Sequence, residues 1–372
     1  MRKLITFLGI ITITTLACSA GGTPTLPPTP QVSVFDSTDT AYGFFPSPPE
    51  ATIESVFQMY KDFGGHADVV LLQKGIPWQE FLESSEVESE QITDITNQYI
   101  LAGQNNLEII QVVDALNGLN RREFAGLPKN WDANFANPDV RAAFTNYTLR
   151  IVREFHPRYL GLASEINTYM DTYPDDAQNF VSLYHEVYAK IKAEAPDTQV
   201  FVTFQWEDLN NLFIGDPSGG TPYQIKWELV EVFEPNLDLW VISSYPFAAF
   251  DSALEIPADY YTPLLTRTDK LLAVAEGGFT SREVGPFHGN EQDQVNYLNA
   301  IHSQIGKRLT FWIYLILNDF NLDSYAKMMK KQGVGDDDDV NTLGMFGSVG
   351  LRQFDGTPKA ALKVWDSFRE NK

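Results

Sequence analysis

Short apolar runs alternate along the chain with segments whose apolar residues recur at the spacing of an α-helix. Between residues 42 and 315 there are eight such runs, each with the length of a buried strand. They cover residues 42–45, 68–72, 107–113, 159–163, 200–204, 239–243, 271–275 and 310–315. Most are followed by a helical pattern, which is the order of elements in a parallel α/β fold.

Two of the intervening segments carry clear helix signals. Asn137 and Pro138 offer an N-cap followed by proline at the first helical position. Apolar residues then recur at helical spacing as far as Ile151, and a second helical pattern over 176–195 stops before Pro196. Eight strand-helix units without an internal linker favour a closed (β/α)8 TIM barrel over a doubly wound open sheet.

The first residues have the pattern of an export signal. Arg2 and Lys3 precede an apolar stretch over 4–16, which is too short for a membrane span. The sequence Thr15-Leu16-Ala17-Cys18 then resembles the lipobox of bacterial lipoproteins, although that family usually has leucine where Thr15 stands. The resemblance implies lipidation of Cys18, and the alternative is an ordinary signal peptide cleaved nearby.

Three regions follow from this pattern. Residues 1–18 are predicted to be a lipoprotein signal peptide, and 19–31 a tether rich in Pro, Gly and Thr. Residues 32–372 are predicted to form a single-domain barrel. The protein is therefore expected to be exported and held at the cell surface or in the periplasm, with the lipid anchor as its only contact with the membrane.

Composition narrows the range of partners. The chain has 49 acidic against 27 basic residues and a net charge of -22, which repels phosphate backbones and argues against nucleic acid. Neutral ligands such as sugars are unaffected by that charge. The single cysteine excludes an intramolecular disulfide and a multi-cysteine zinc site. No cofactor or metal is predicted, because the acidic run at 336–339 is interpreted as a solvent-exposed loop and no phosphate-binding, GxSxG or HExxH motif occurs.

Polar residues directly after the fourth, sixth and seventh runs supply the candidate chemistry. Glu165 follows the fourth run, Tyr245 the sixth and Glu276 the seventh. Because active sites of (β/α)8 barrels lie at the carboxyl ends of the strands, the two glutamates are expected on one rim. Retaining glycoside hydrolysis needs such a pair: one carboxylic acid protonates the leaving oxygen, and one carboxylate attacks the anomeric carbon.

These motifs resemble the clan A glycoside hydrolases, barrels with catalytic glutamates at the ends of strands four and seven. The resemblance runs from Tyr42 to the C-terminus as pattern rather than dense identity. It implies that Glu165 is the acid/base and Glu276 the nucleophile. It also implies that Tyr245 hydrogen-bonds the nucleophile and that Trp312, in the eighth run, forms the floor of the sugar subsite.

One position departs from the family pattern. Many of these enzymes have asparagine directly before the acid/base, where this chain has Ser164. The change is compatible with a different substrate preference, or with a barrel that binds sugar without cleaving it. Further candidates for the cleft are Trp78, Asn167, Gln205 and Trp206.

The sequence therefore predicts a retaining glycoside hydrolase that cleaves a β-linked oligo- or polysaccharide without a cofactor. Endo-acting galactanases and mannanases are the activities to test first. The alternative is a non-catalytic carbohydrate-binding surface lipoprotein, either a degenerate barrel or a transporter's solute-binding protein. The uninterrupted series of eight units argues against the solute-binding protein, which would show two lobes.

Overall fold

The computed structural model describes residues 39–118, 120–213, 220–332 and 343–371. The predicted signal peptide with Cys18, the tether and the acidic run at 336–339 lie outside these ranges. Among the described helices, none combines the length and apolar character needed to cross a membrane.

Nine parallel strands form one sheet in the order β7-β6-β3-β2-β1-β11-β10-β9-β8. Their bounds are β1 (Ala41–Phe44), β2 (Val69–Lys74), β3 (Glu108–Val113), β6 (Tyr159–Gly161), β7 (Gln199–Phe201), β8 (Thr203–Gln205), β9 (Leu239–Ser244), β10 (Leu271–Gly277) and β11 (Leu309–Tyr314). Each of the eight predicted runs coincides with a strand position. The fifth run is divided at Val202 into β7 and β8, which we count together as barrel strand five. Barrel strands one to four are therefore β1, β2, β3 and β6, and barrel strands six to eight are β9, β10 and β11.

The sheet closes into a ring. β7 pairs with β6 and β8 pairs with β9, so strand five joins strands four and six. β1 pairs with β11, which joins the first strand to the eighth. The predicted (β/α)8 barrel is therefore confirmed.

Helices surround the barrel. They are α1 (Ile53–His66), α2 (Glu90–Gln104), α3 (Pro138–Phe155), α4 (Ile166–Thr172), α5 (Pro174–Glu194), α6 (Trp206–Leu209), α7 (Glu228–Glu231), α8 (Pro263–Arg267), α9 (Glu291–Ile305), α10 (Leu322–Gln332) and the final helix Ala360–Glu370. The predicted cap is present, because the Asn137 side chain accepts a hydrogen bond from the Asp139 amide and Pro138 opens α3. The second predicted helix is α5, which begins two residues earlier than expected.

A short antiparallel hairpin, absent from the elements predicted above, follows barrel strand three. It consists of β4 (Leu116–Asn117) and β5 (Asn120–Phe124) and packs against α4. The hairpin brings side chains back over the end of the barrel where the candidate glutamates lie.

Aromatic side chains fill the opposite, amino-terminal end of the barrel. The ring of Phe311 lies 5.4 Å from that of Tyr159 and 5.9 Å from that of Phe201. Strand one has glycine at position 43, because a Cβ atom there would lie 2.3 Å from the Val69 carbonyl oxygen. The interior is thus a packed core, and the candidate site lies at the carboxyl ends of the strands.

Candidate active site

Glu165 occupies a strained backbone position directly after strand four. It precedes α4 in the left-handed conformation, with φ 50° and ψ 41°. Such angles are uncommon outside glycine and cluster at functional sites. The Glu165 amide donates to Thr203 Oγ1 at 2.8 Å, which fixes this backbone against strand five.

A β-bulge in strand seven directs Glu276 toward the same place. In the ladder with strand six, Val274 pairs with Ile242 but Glu276 pairs with Ser243, so two residues of strand seven oppose one of strand six. Bulges of this kind re-aim side chains next to active sites. The Ser243 hydroxyl donates to Glu165 Oε1 at 2.5 Å, so strand six connects the positions of the two glutamates.

Two hydroxyl groups hold the Glu276 carboxylate. Ser164 Oγ donates to Glu276 Oε1 at 2.8 Å, and Tyr245 Oη donates to Glu276 Oε2 at 2.9 Å. Four predicted site residues, Ser164, Glu165, Tyr245 and Glu276, therefore lie together. The serine that departs from the family pattern is a direct ligand of the second glutamate.

Arg121, on β5 of the hairpin, completes the cluster and was missed by the sequence analysis. Its Nε donates to Glu165 Oε2 at 3.0 Å, and its Nη2 lies 3.8 Å from Glu276 Oε1. Nη2 also donates to Ser164 Oγ at 3.1 Å, and Nη1 donates to Asp114 Oδ2 at 2.5 Å. One guanidinium group thus contacts both candidate glutamates.

The electrostatics of the cluster follow from burial and crowding of carboxylates. Burial, reinforced by the negative charge of Glu165, raises the pKa of Glu276 to about 7. The charge of Arg121 and the hydrogen bonds from Ser164 and Tyr245 oppose this rise. Burial also raises the pKa of Asp114, against the lowering effect of Arg121. Burial and the neighbouring carboxylate thus favour the protonated form of Glu276, and Arg121, Ser164 and Tyr245 favour the ionised form.

A fully buried carboxylate, Glu207, supports the tyrosine of the site. It accepts hydrogen bonds from the Tyr245 amide at 2.9 Å and from Ser244 Oγ at 2.7 Å. Gln205 Nε2 donates to it at 2.6 Å and Tyr260 Oη at 3.2 Å. Burial raises the pKa of Glu207, and the hydrogen bonds from Tyr245, Ser244 and Gln205 oppose that rise. No pattern in the sequence indicates this role, because it depends on contacts between strands five and six.

The predicted subsite role of Trp312 is wrong. Its side chain is fully buried and lies 5.4 Å, between ring centroids, from Trp365 of the final helix. Phe368 of the same helix packs 6.2 Å from it. Trp312 therefore points outward from strand eight into the helix layer and cannot form the floor of a sugar subsite.

Asn167 and Gln205 stabilise the junction between strand five and the helices α4 and α6. Asn167 Oδ1 accepts from the backbone N–H of Gln205 at 2.7 Å, and Asn167 Nδ2 donates to the backbone carbonyl oxygen of Gln205 at 3.2 Å. Gln205 Oε1 caps α6 by accepting from the Asp208 amide at 2.6 Å. Both side chains are buried; that of Asn167 holds α4 against strand five, and that of Gln205 contacts Glu207 and the start of α6.

The two remaining tryptophans are also enclosed. Trp206 is fully buried and stacks on Tyr261 with ring centroids 6.4 Å apart. Trp78 is 2% exposed, and its indole N–H donates to the Ala125 carbonyl oxygen at 2.7 Å. Neither indole presents a free face to a ligand, so the predicted cleft roles of Trp78 and Trp206 are not supported.

The cluster has the groups needed for acid–base and nucleophilic chemistry by carboxylates. Across the described ranges, no group of three or more His, Cys, Asp or Glu side chains is arranged as a metal site.

Comparisons with known proteins agree on the fold. No protein-family model and no curated protein matches the chain. A GH5_18 structure from Streptomyces cattleya, determined with Manβ1-4GlcNAc, has a TM-score of 0.63 and 13% identity, covering 90% of this chain and 81% of that one. An exo-β-1,4-mannosidase from Opitutaceae bacterium strain TAV5 has a TM-score of 0.62 and 14% identity, covering 92% of this chain. A GH5_18 structure from Bifidobacterium longum subsp. infantis has a TM-score of 0.61 and 13% identity, covering 89% of this chain and 79% of that one.

These neighbours are glycoside hydrolases built on a parallel (β/α)8 barrel. The chain has the same fold, as its resemblance to clan A predicted. It spans 62% of the length of the Opitutaceae mannosidase.

Proposed function

We propose that the protein is a retaining β-glycosidase that uses Glu165 and Glu276. The observation that carries the proposal is the meeting of the two glutamates at the carboxyl ends of strands four and seven, where Arg121 contacts both of them. Double displacement uses two carboxyl groups that flank the scissile bond, and here both glutamates contact one guanidinium group.

In the proposed reaction, the Glu276 carboxylate attacks the anomeric carbon while Glu165 protonates the departing glycosidic oxygen. This gives a covalent glycosyl ester on Glu276. Glu165 then accepts a proton from water as that water attacks the anomeric carbon, which releases the sugar with its configuration retained. Tyr245 and Ser164 hold the attacking carboxylate by the two oxygen atoms that they contact.

β-Mannosides are the proposed first substrates. Two of the neighbouring structures are an exo-β-1,4-mannosidase and a GH5_18 protein with Manβ1-4GlcNAc bound. Hydrolysis of aryl β-mannosides and Manβ1-4GlcNAc should be measured beside aryl β-glucosides, β-galactosides and soluble mannan and galactan. Selective cleavage of the mannosides would support the assignment, and selective cleavage of another sugar would replace it.

The roles of the glutamates can be separated with sodium azide. For Glu165→Ala, azide should attack the glycosyl ester and give a β-glycosyl azide from a substrate with a good leaving group. For Glu276→Ala, azide should attack the substrate directly and give the α-glycosyl azide. Glu283→Ala is a matched control, because this carboxylate also follows strand seven but its side chain is 80% exposed. Full activity in either glutamate variant would refute the pairing.

A second function, carbohydrate binding without cleavage, is favoured by one observation. Arg121 and Ser243 donate hydrogen bonds to the two carboxyl oxygens of Glu165, so both oxygens are engaged within the protein rather than directed to a substrate. Isothermal titration with the same oligosaccharides would detect binding. Binding to an intact oligosaccharide that survives prolonged incubation would select this function over hydrolysis.

Export and anchoring are proposed from the N-terminal sequence alone. Lipidation of Cys18 would place the protein in the detergent phase of a Triton X-114 extract of expressing bacteria. Cys18→Ser should move it to the aqueous phase. Equal partition of the two forms would favour an ordinary cleaved signal peptide.

A further inference from the structure

We propose that Arg121, held by Asp114, is a positioning residue that aligns the two glutamates and sets the pH range in which they act. The inference rests on the proposed function. Arg121 is 8% exposed, and its guanidinium lies among Asp114, Ser164, Glu165 and Glu276. Arg121 is therefore buried within the candidate site and does not lie at its surface.

Charge balance explains why this position matters. The buried cluster contains three carboxyl groups, on Asp114, Glu165 and Glu276, and one guanidinium. With all of them ionised, the cluster has an excess of negative charge in a poorly solvated place, which favours retention of a proton.

The unequal contacts of Arg121 decide which carboxyl group is least compensated. Arg121 contacts Asp114 at 2.5 Å and Glu165 at 3.0 Å, but Glu276 only at 3.8 Å. The titratable groups that face Glu276 are Glu165, Arg121 and Tyr245, with Asp114 behind the arginine. The raised pKa of Glu276 agrees with this geometry. Because the nucleophile must be ionised to attack, the charge of Arg121 controls the lower end of the active pH range.

The hairpin supplies this charge from outside the ring of strands. Asp114 lies at its base, where Oδ1 accepts from the Leu116 amide at 3.1 Å and Oδ2 accepts from Gln73 Nε2 at 2.7 Å. The next residue, Arg122, instead donates to Thr172 Oγ1 at 3.1 Å on α4. Two adjacent arginines of the hairpin therefore differ in one respect that an experiment can use: only Arg121 reaches the glutamates.

The test is the pH dependence of kcat/KM with an aryl β-glycoside that the wild type hydrolyses. Arg121→Gln should move the acidic limb upward by about one to two pH units, the effect of removing one nearby cation from a carboxylate. Arg121→Lys retains the charge but not the planar fork, so kcat should fall with a smaller shift of the limb. Asp114→Asn frees the charge of Arg121 for the glutamates and should move the limb downward. Arg122→Gln is the matched control and should leave the profile unchanged.

An acidic limb that stays at the wild-type pH in both Arg121→Gln and Asp114→Asn would overturn the inference. If circular dichroism shows that Arg121→Gln is unfolded, Asp114→Asn alone tests the inference: a downward shift of its acidic limb supports the inference, and an unchanged limb overturns it. If the wild type hydrolyses no glycoside, the proposed function fails, but the inference can still be judged. Carbon-13 NMR titration of the Glu276 carboxyl carbon, assigned with Glu276→Gln, should show the same upward and downward shifts.

Discussion

Replacing Trp312 by phenylalanine distinguishes a tryptophan that binds sugar from one that packs a helix. In the structure the ring lies between strand eight and the final helix, in contact with Trp365 and Phe368. The indole N–H has no hydrogen-bond partner among the described residues. Phenylalanine therefore removes ring volume from the helix layer without leaving a former partner unsatisfied.

The magnitude follows from the size of the removed part. Truncating a buried tryptophan to alanine costs about 3–5 kcal/mol, including the cavity left behind. Phenylalanine keeps one aromatic ring at this position, so we expect a loss of about 1–2 kcal/mol in the free energy of unfolding. Because the ring faces away from the barrel mouth, KM and kcat should stay within about twofold of the wild type, a change of about 0.4 kcal/mol.

The assay combines urea unfolding, followed by tryptophan fluorescence and circular dichroism, with kinetics on the same preparation. Ligand affinity of the folded variant should match that of the wild type. A severalfold rise in KM with an unchanged unfolding midpoint would refute the outward orientation of Trp312. That result would restore the subsite role expected from the resemblance to clan A.

Three further predictions follow from the site. Gly277→Ala should cost about 1–3 kcal/mol and lower kcat, because its Cβ would lie 2.5 Å from a backbone oxygen of strand six, beside Glu276. Gly65→Ala, whose Cβ meets nothing within 4 Å, should be neutral or stabilising in the same urea titration, and equal stability losses in both would contradict this account. Tyr245→Phe removes a donor that lowers the pKa of Glu276, so the acidic limb of kcat/KM should move up by about one pH unit; a downward shift would contradict it. Glu207→Gln should reduce kcat about tenfold or more with little change in the circular dichroism spectrum, and wild-type kcat would exclude its role in positioning the tyrosine.

The site residues that could be predicted are those that follow a strand directly in the sequence. Glu165, Tyr245 and Glu276 each follow an apolar run, and parallel strands of a barrel end on one rim, so position along the chain implied proximity. The predicted subsite role of Trp312 was wrong for a physical reason. All six residues of β11 are buried, so the strand has no alternation of polar and apolar residues to show which side chains face inward.

Arg121 could not be located because its role depends on tertiary contacts. In the hairpin that carries it, Asn117 pairs with Asn120, and the glycine after Asn117 is a residue type favoured in tight hairpin turns, which was the available signal. The bulge at strand seven left no comparable signal. It arises from pairing between Glu276 and Ser243, which are distant in sequence.

The pairing of the first strand with the eighth has a consequence for how the molecule is made. Ala41 finds its partner in Phe311, so strand one keeps an unpaired edge through most of translation. The whole chain between Ala41 and Phe311 must form a closed loop before this pairing can stabilise the barrel. Closing so long a loop makes folding slow, and meanwhile strand one can pair with other strands. The helix Ala360–Glu370 then covers the seam by packing Trp365 against Phe44 and Trp312. Ribosome-bound chains arrested before this helix emerges should therefore remain sensitive to protease, and the full chain should become resistant only after its release.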